Sequence, residues 1–133
     1  MAWVHDFAIT ELTTAGTAFT ADMPEHQAND MLIVFAAKDT TGALTQTTSG
    51  YTALSSGAGG AQWVGAWYRR ATSSAESAPT FTLTSDEANC VVVNVRGAHT
   101  TTNPTSAIAT MILPCPAEAI FKTQLFWLLQ PIV

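Results

Sequence analysis

The sequence predicts an all-β fold, an antiparallel β-sandwich of jelly-roll-like form with about eight strands. Three observations lead there. No long stretch keeps apolar residues at helical spacing. Short apolar or alternating runs recur instead, and clusters of Gly, Pro, Asn, Asp and Ser punctuate them. Threonine and glycine, poor helix formers, are abundant throughout.

Taken in order, the first predicted strand is Trp3 to Ile9, ending before the polar Thr10-Glu11 and Thr13-Thr14-Ala15-Gly16. Thr17 to Ala21 forms the second, with Phe19 on one face, and Pro24 closes the segment because proline donates nothing to a sheet ladder. Met31-Leu32-Ile33-Val34-Phe35-Ala36-Ala37 is an unbroken apolar run bounded by turn residues. Such a run suits a strand covered on both faces, so it is the candidate central strand. Lys38 to Gly50 reads as a polar connection, and Tyr51 to Leu54 as a short extended piece. Ser55-Ser56-Gly57-Ala58-Gly59-Gly60 reads as a loop.

Gln62 to Arg70 is the next strand. Alternation puts Trp63, Gly65 and Trp67 on one face and Val64, Ala66 and Tyr68 on the other. After the small polar stretch Ala71 to Ala78, Phe81 and Leu83 alternate with threonines. Asp86-Glu87-Ala88-Asn89 is predicted as a turn before the apolar strand Cys90 to Val95, which Arg96-Gly97 ends. Ser106 to Leu113 supplies a last candidate. Residues 1–113 thus form the predicted sandwich, burying Ile33, Phe35, Phe81, Leu83, Val91 and Val93. Residues 114–133 form an apolar C-terminal segment, read either as a closing strand or as the opening of an incomplete second repeat. A strand as apolar as Leu125-Phe126-Trp127-Leu128-Leu129 needs cover from its own sheet or from a neighbour.

Bulk properties narrow the function. At 133 residues the chain fits one domain. Only 11% of it is charged against 47% apolar, which suits a surface covered by neighbours. A net charge of −5 with five basic residues excludes a phosphate-rich partner, so no nucleic acid is expected. The N-terminus lacks a basic start followed by an apolar stretch. No segment approaches the ~20 apolar residues that span a bilayer as a helix, and a soluble chain without membrane attachment is expected. Cys90 reads as a buried strand residue, and no spacing prompts a bridge to Cys115, which lies between Pro114 and Pro116.

Chemistry-bearing patterns are absent. His5, His26 and His99 stand apart from each other and from the cysteines, without a zinc-type spacing. No nucleophile elbow exists, and Gly57 to Gly60 lacks the Gly-Lys-Ser/Thr of a phosphate cradle. Asp22, Glu25, Asp30 and Asp39 fall where turns and strand ends want polar residues, so no catalytic pair is assigned. No enzyme activity, cofactor or metal is expected. The informative constellation is aromatic. Trp63 and Trp67 share a face across Gly65, an arrangement open to a sugar-ring platform, a protein interface or simple core filling. Tyr68, Arg69 and Arg70 beside them, and Phe126 and Trp127 in the tail, complete the candidate contact residues.

Four segments in sequence carry a family resemblance. Asn29-Asp30-Met31-Leu32-Ile33-Val34-Phe35-Ala36-Ala37 places an acidic residue before a buried strand. Gly50-Tyr51-Thr52-Ala53-Leu54, Trp67-Tyr68-Arg69-Arg70-Ala71 and Val91-Val92-Val93-Asn94-Val95-Arg96-Gly97 come after it. This order, over about residues 22–113, resembles tailed-phage virion structural proteins. Their pattern runs acidic residue and strand, "Gly-Trp/Tyr-Thr-x-Leu", "W/F-Y-R/K-R/K-A" and an apolar strand closing on "x-R-G". Asn29 departs from it, since a glycine is usual there, and relatives often continue beyond the point where this chain stops. The resemblance implies a virion component without catalytic residues: a capsid decoration (cement) protein, a head fibre or a tail or baseplate accessory. Its implied partners are other virion proteins, the major capsid protein first, and copies of itself, with a trimer as one arrangement. A carbohydrate-binding module is the alternative reading.

Overall fold

The computed structural model describes residues 1–104 as six antiparallel strands without a helix. They are β1 (Trp3–Thr20), β2 (Met31–Lys38), β3 (Leu44–Gln46), β4 (Thr52–Gly59), β5 (Gln62–Arg70) and β6 (Thr80–Arg96). The sheet order is β1-β6-β2-β5-β4, with β3 paired to β6 beside that path. The continuous apolar run lies in the middle, as its composition predicts, because β2 is flanked by β6 and β5.

The strand count differs from the expected eight for a physical reason. Two pairs of predicted strands are each one long bent strand. The polar Thr10–Gly16 stretch stays paired, with Glu11 opposite Asn89 and Gly16 opposite Asp86, and the register shifts between Leu12, Gly16 and Ala18. The predicted turn at Asp86–Asn89 is likewise strand, lying inside β6. Its polar residues serve the bend rather than a chain reversal. Lys38, fully buried, donates to Asp86 Oδ2 at 2.9 Å, and the Thr40 backbone N–H and hydroxyl donate to the same oxygen. The predicted loop Ser55–Gly60 is mostly strand too, since Ser55, Ser56, Gly57, Ala58 and Gly59 all pair with β5. An exposed edge strand needs no apolar alternation, so composition hid it. β3 was equally hidden in the polar connection, where Leu44 is the single large apolar side chain and pairs with Leu83. The last candidate, Ser106–Leu113, lies outside the described residues.

The bend gives the sheet two arms. Residues 88–96 of β6 pair with the start of β1 and with β2, while residues 80–83 pair with the end of β1 and with β3. Phe81 therefore reaches back over the middle of the sheet. Its ring meets Trp67 edge-on at 5.3 Å and stacks on Phe19 at 5.1 Å. A first apolar cluster collects here: Val34, Ala36, Leu44, Trp63, Trp67, Phe81, Leu83, Cys90 and Val92, with Leu12, Phe19, Met23 and Tyr51 at its margin. Each fully buried large side chain contributes about 1.5–3 kcal/mol.

The opposite side of the same strands carries a second cluster of Met31, Ile33, Val91, Val93 and Val95, with Phe35 and Tyr68 half-buried beside it. The six residues expected to be buried divide between the two sides, and Phe35 is only half-buried. Phe81 and Leu83 belong to the first cluster, Ile33, Val91 and Val93 to the second, and Phe35 to its rim.

Candidate functional site

The residues singled out from sequence fall into three environments. Trp63 and Trp67 are in the core, at 7% and 6% exposure. Their rings stack at 6.1 Å with 24° between planes, directly over Gly65. A β-carbon at Gly65 would lie 2.5 Å from Trp67 and 2.8 Å from Trp63, so only glycine leaves room for this stack. Both indoles fill space against Phe81 and Leu44 rather than offering a face to a sugar ring. Phe126 and Trp127 lie outside the described residues.

Tyr68, Arg69 and Arg70 are half-buried, and the two arginines act as clasps. Arg69 pairs with Glu76, donates to the Ser49 carbonyl at 3.1 Å and lies over the Tyr51 ring at 5.4 Å. Tyr51 in turn donates to the Ser77 carbonyl at 2.9 Å. Burial pushes the Tyr51 hydroxyl up to about 12; the Arg69 charge opposes that and Glu76 reinforces it. Glu76 also accepts from the Thr72 backbone and hydroxyl and from the Ser73 backbone. Burial pushes its carboxyl up, yet the Thr72 and Ser73 hydrogen bonds and the Arg69 charge win and hold it below the usual carboxylate range. Arg70 donates to the carbonyls of Asn29, His99 and Thr102.

A third clasp was not foreseen as a pair, although both of its ends stand in the four segments singled out from sequence. Asp30 is buried and takes Arg96 Nη2 at 2.9 Å, Asn94 Nδ2 at 2.9 Å and the Gln27 backbone N–H at 3.1 Å. Burial pushes the Asp30 carboxyl up, but the hydrogen bonds from Arg96 and Asn94 outweigh it and keep the group ionised below its ordinary value. Asn29, just before it, has φ of 74°, a left-handed conformation that glycine adopts most easily and asparagine tolerates. The acidic residue of the first segment thus binds the arginine of the fourth, and the Gly50-Tyr51 segment meets the arginine of the third. A sequence signal existed, since opposite charges flanked two apolar strands, but pairing across 66 positions is set only by the β2–β6 register.

Each of these groups already holds partners within the chain. The His26 ring is buried, with Nδ1 2.8 Å from the Pro24 carbonyl and Nε2 accepting the Glu76 backbone N–H at 3.1 Å. Both ring nitrogens are thus engaged within the chain. Cys90 is a free thiol sealed in the first cluster, and burial raises it well above its ordinary value. Among the described residues no group of three or more His, Cys, Asp or Glu side chains is placed to hold a metal ion.

What remains is a surface. Among the described residues, the exposed large apolar side chains are Met1, just before β1, and Trp3, Val4, Phe7 and Ile9 at its start. Trp3, Phe7 and Ile9 are more than half exposed. Phe7 pairs with Val93 and Ile9 with Val91, so both project on the side of the second cluster. β1 is an edge strand among the described residues, and it runs for 18 residues. The other edge, β4, carries Ser55, Ser56, Gly57 and Gly59 and a register irregularity between Ala53 and Ser55. The β1 strip was missed in the sequence because its alternation looked like that of any half-buried strand.

No protein-family model matches the chain, and neither any curated protein nor any solved structure is measurably similar to it.

Proposed function

We propose that this chain is a non-enzymatic structural component of a tailed-phage virion, a capsid decoration (cement) protein that stabilises the head through subunit contacts. Its partners are the major capsid protein and further copies of itself, a trimer among the arrangements that suit such a role. The observation that carries the reading is the apolar strip Trp3, Val4, Phe7 and Ile9 on a long edge strand. An exposed edge of this kind invites pairing or apolar contact with another chain. Low charge and the four-segment order point the same way. The fold belongs to this proposal as a jelly-roll-like sandwich, with the arm bearing Phe81 and Leu44 as the second layer over Trp63 and Trp67.

Burial of both indoles removes the support for a carbohydrate platform. The decisive experiment mixes the purified chain with phage heads assembled without it and monitors co-sedimentation and particle imaging. Saturable incorporation, lost when Phe7 and Ile9 are both replaced by threonine, is the expected result. A chain that stays monomeric and never joins particles overturns the proposal.

A further inference from the structure

The second cluster poses a packing problem. Val93 and Ile33 are 1% and 3% exposed, yet among the described strands none lies across that side of the sheet. Phe7, Ile9, Phe35 and Tyr68 extend the same apolar surface toward both edges.

The course of the chain after β6 says what lies nearest to it. Gly97, with φ of 75°, turns the backbone at the end of β6, where a β-carbon would meet the Met1 carbonyl oxygen at 2.6 Å. Ala98 then packs against the second cluster. Arg70 sits opposite Met31, so its side chain projects on that same side, and it holds the carbonyls of His99 at 2.6 Å and Thr102 at 3.3 Å. The chain is therefore directed onto the apolar side and clasped there.

The C-terminal residues have matching chemistry. Residues 120–133 read Ile-Phe-Lys-Thr-Gln-Leu-Phe-Trp-Leu-Leu-Gln-Pro-Ile-Val, with Lys122 the single charge. Residues 105–119 provide slack, since ~3.3 Å per residue reaches ~50 Å, whereas five strands span only ~20 Å.

We propose that the C-terminal segment 120–133 seats in cis on the side of the sheet formed by Met31, Ile33, Phe35, Val91, Val93 and Val95. Leu125, Phe126, Trp127 and Leu128 supply the apolar contacts. A second copy is the competing occupant, but a tethered segment has an effective concentration on the order of 1 mM. At ~10 µM chain this favours the chain's own tail by about a hundredfold. The β1 strip at the margin stays available, so this seat is independent of the virion reading, which is judged on particles.

The test uses the full chain with a benzophenone amino acid replacing Phe126, prepared both unlabelled and uniformly labelled with heavy nitrogen. The two are mixed at ~10 µM, irradiated and mapped by mass spectrometry. The expected result is an adduct between the tail and peptides of β2 or β6, with both halves of one isotope in about a hundredfold excess. Adducts confined to peptides outside the second cluster, mixed-isotope adducts reaching about half of the total, as random pairing of an equimolar mixture gives for contacts between copies, or no adduct at all would each overturn the cis seat.

Discussion

The two sides of the central strands make an instructive contrast. Both are apolar: Leu32, Val34 and Ala36 alternate with Met31, Ile33 and Phe35 along β2. The first side is closed by the sheet itself, because the bend in β1 and β6 swings Phe19, Phe81 and Leu83 back over Trp63 and Trp67. The second side has equally buried valines but no described strand across it. A doubly apolar strand requires two covers, and the described strands build one.

Experiments on stability separate the sides, and the largest effect belongs to the first. Phe81→Ala removes a ring that touches both Trp67 and Phe19, and a loss of about 3–5 kcal/mol in urea unfolding is expected. A loss under 1 kcal/mol would show that the arm contributes no packing. Next comes the bend. Asp86→Ala leaves Lys38 buried without its counter-charge, at an expected cost of about 3 kcal/mol.

The same pair predicts acid sensitivity. The Lys38 hydrogen bond, opposed by burial and aided by Thr40, holds Asp86 down at about 2 against an ordinary 3.8. A lowered carboxylate stabilises the fold above its unfolded value, and that contribution fades as pH falls through the folded one. Stability measured between pH 5 and pH 2 should therefore fall in the parent. It should fall less steeply in Asp86→Ala, with Asp30 and Glu76 accounting for part of what remains.

On the second side, Ile33→Ala in the full chain is expected to cost about 2 kcal/mol. A change within ~0.5 kcal/mol, the range of a surface site, would mean that this side is open in solution. The smallest effect is at the β1 strip. Phe7→Thr combined with Ile9→Thr should leave the unfolding midpoint nearly unmoved, within about 0.5 kcal/mol per site, because both side chains are already over half exposed. A large destabilisation there would place the strip inside the fold and remove it as a contact surface.

Much of this architecture was legible in the residues. The unbroken apolar run of β2 announced a central strand, and the alternation over Gln62–Arg70 assigned Trp63 and Trp67 to one side correctly. Gly65 between the two indoles was visible, but its purpose was not, since a close approach of two rings is a three-dimensional fact. The clasps were half legible. Arg69 and Arg70 stood out, whereas the partnership of Arg96 with Asp30 did not, because local spacing says nothing about residues joined only through register.

By itself the sequence determined the strand character of β2, β5 and the apolar parts of β1 and β6, the parity of β5 and the absence of local motifs for catalysis or metal binding, all properties of short windows. Tertiary structure alone decided that polar Thr10–Gly16 and Asp86–Asn89 continue strands instead of breaking them. It also decided which edge is apolar and which side the sheet covers for itself. The physical reason is shared by all three. Backbone hydrogen bonds and buried charges are satisfied by neighbours distant in the chain, and a window of sequence does not contain them.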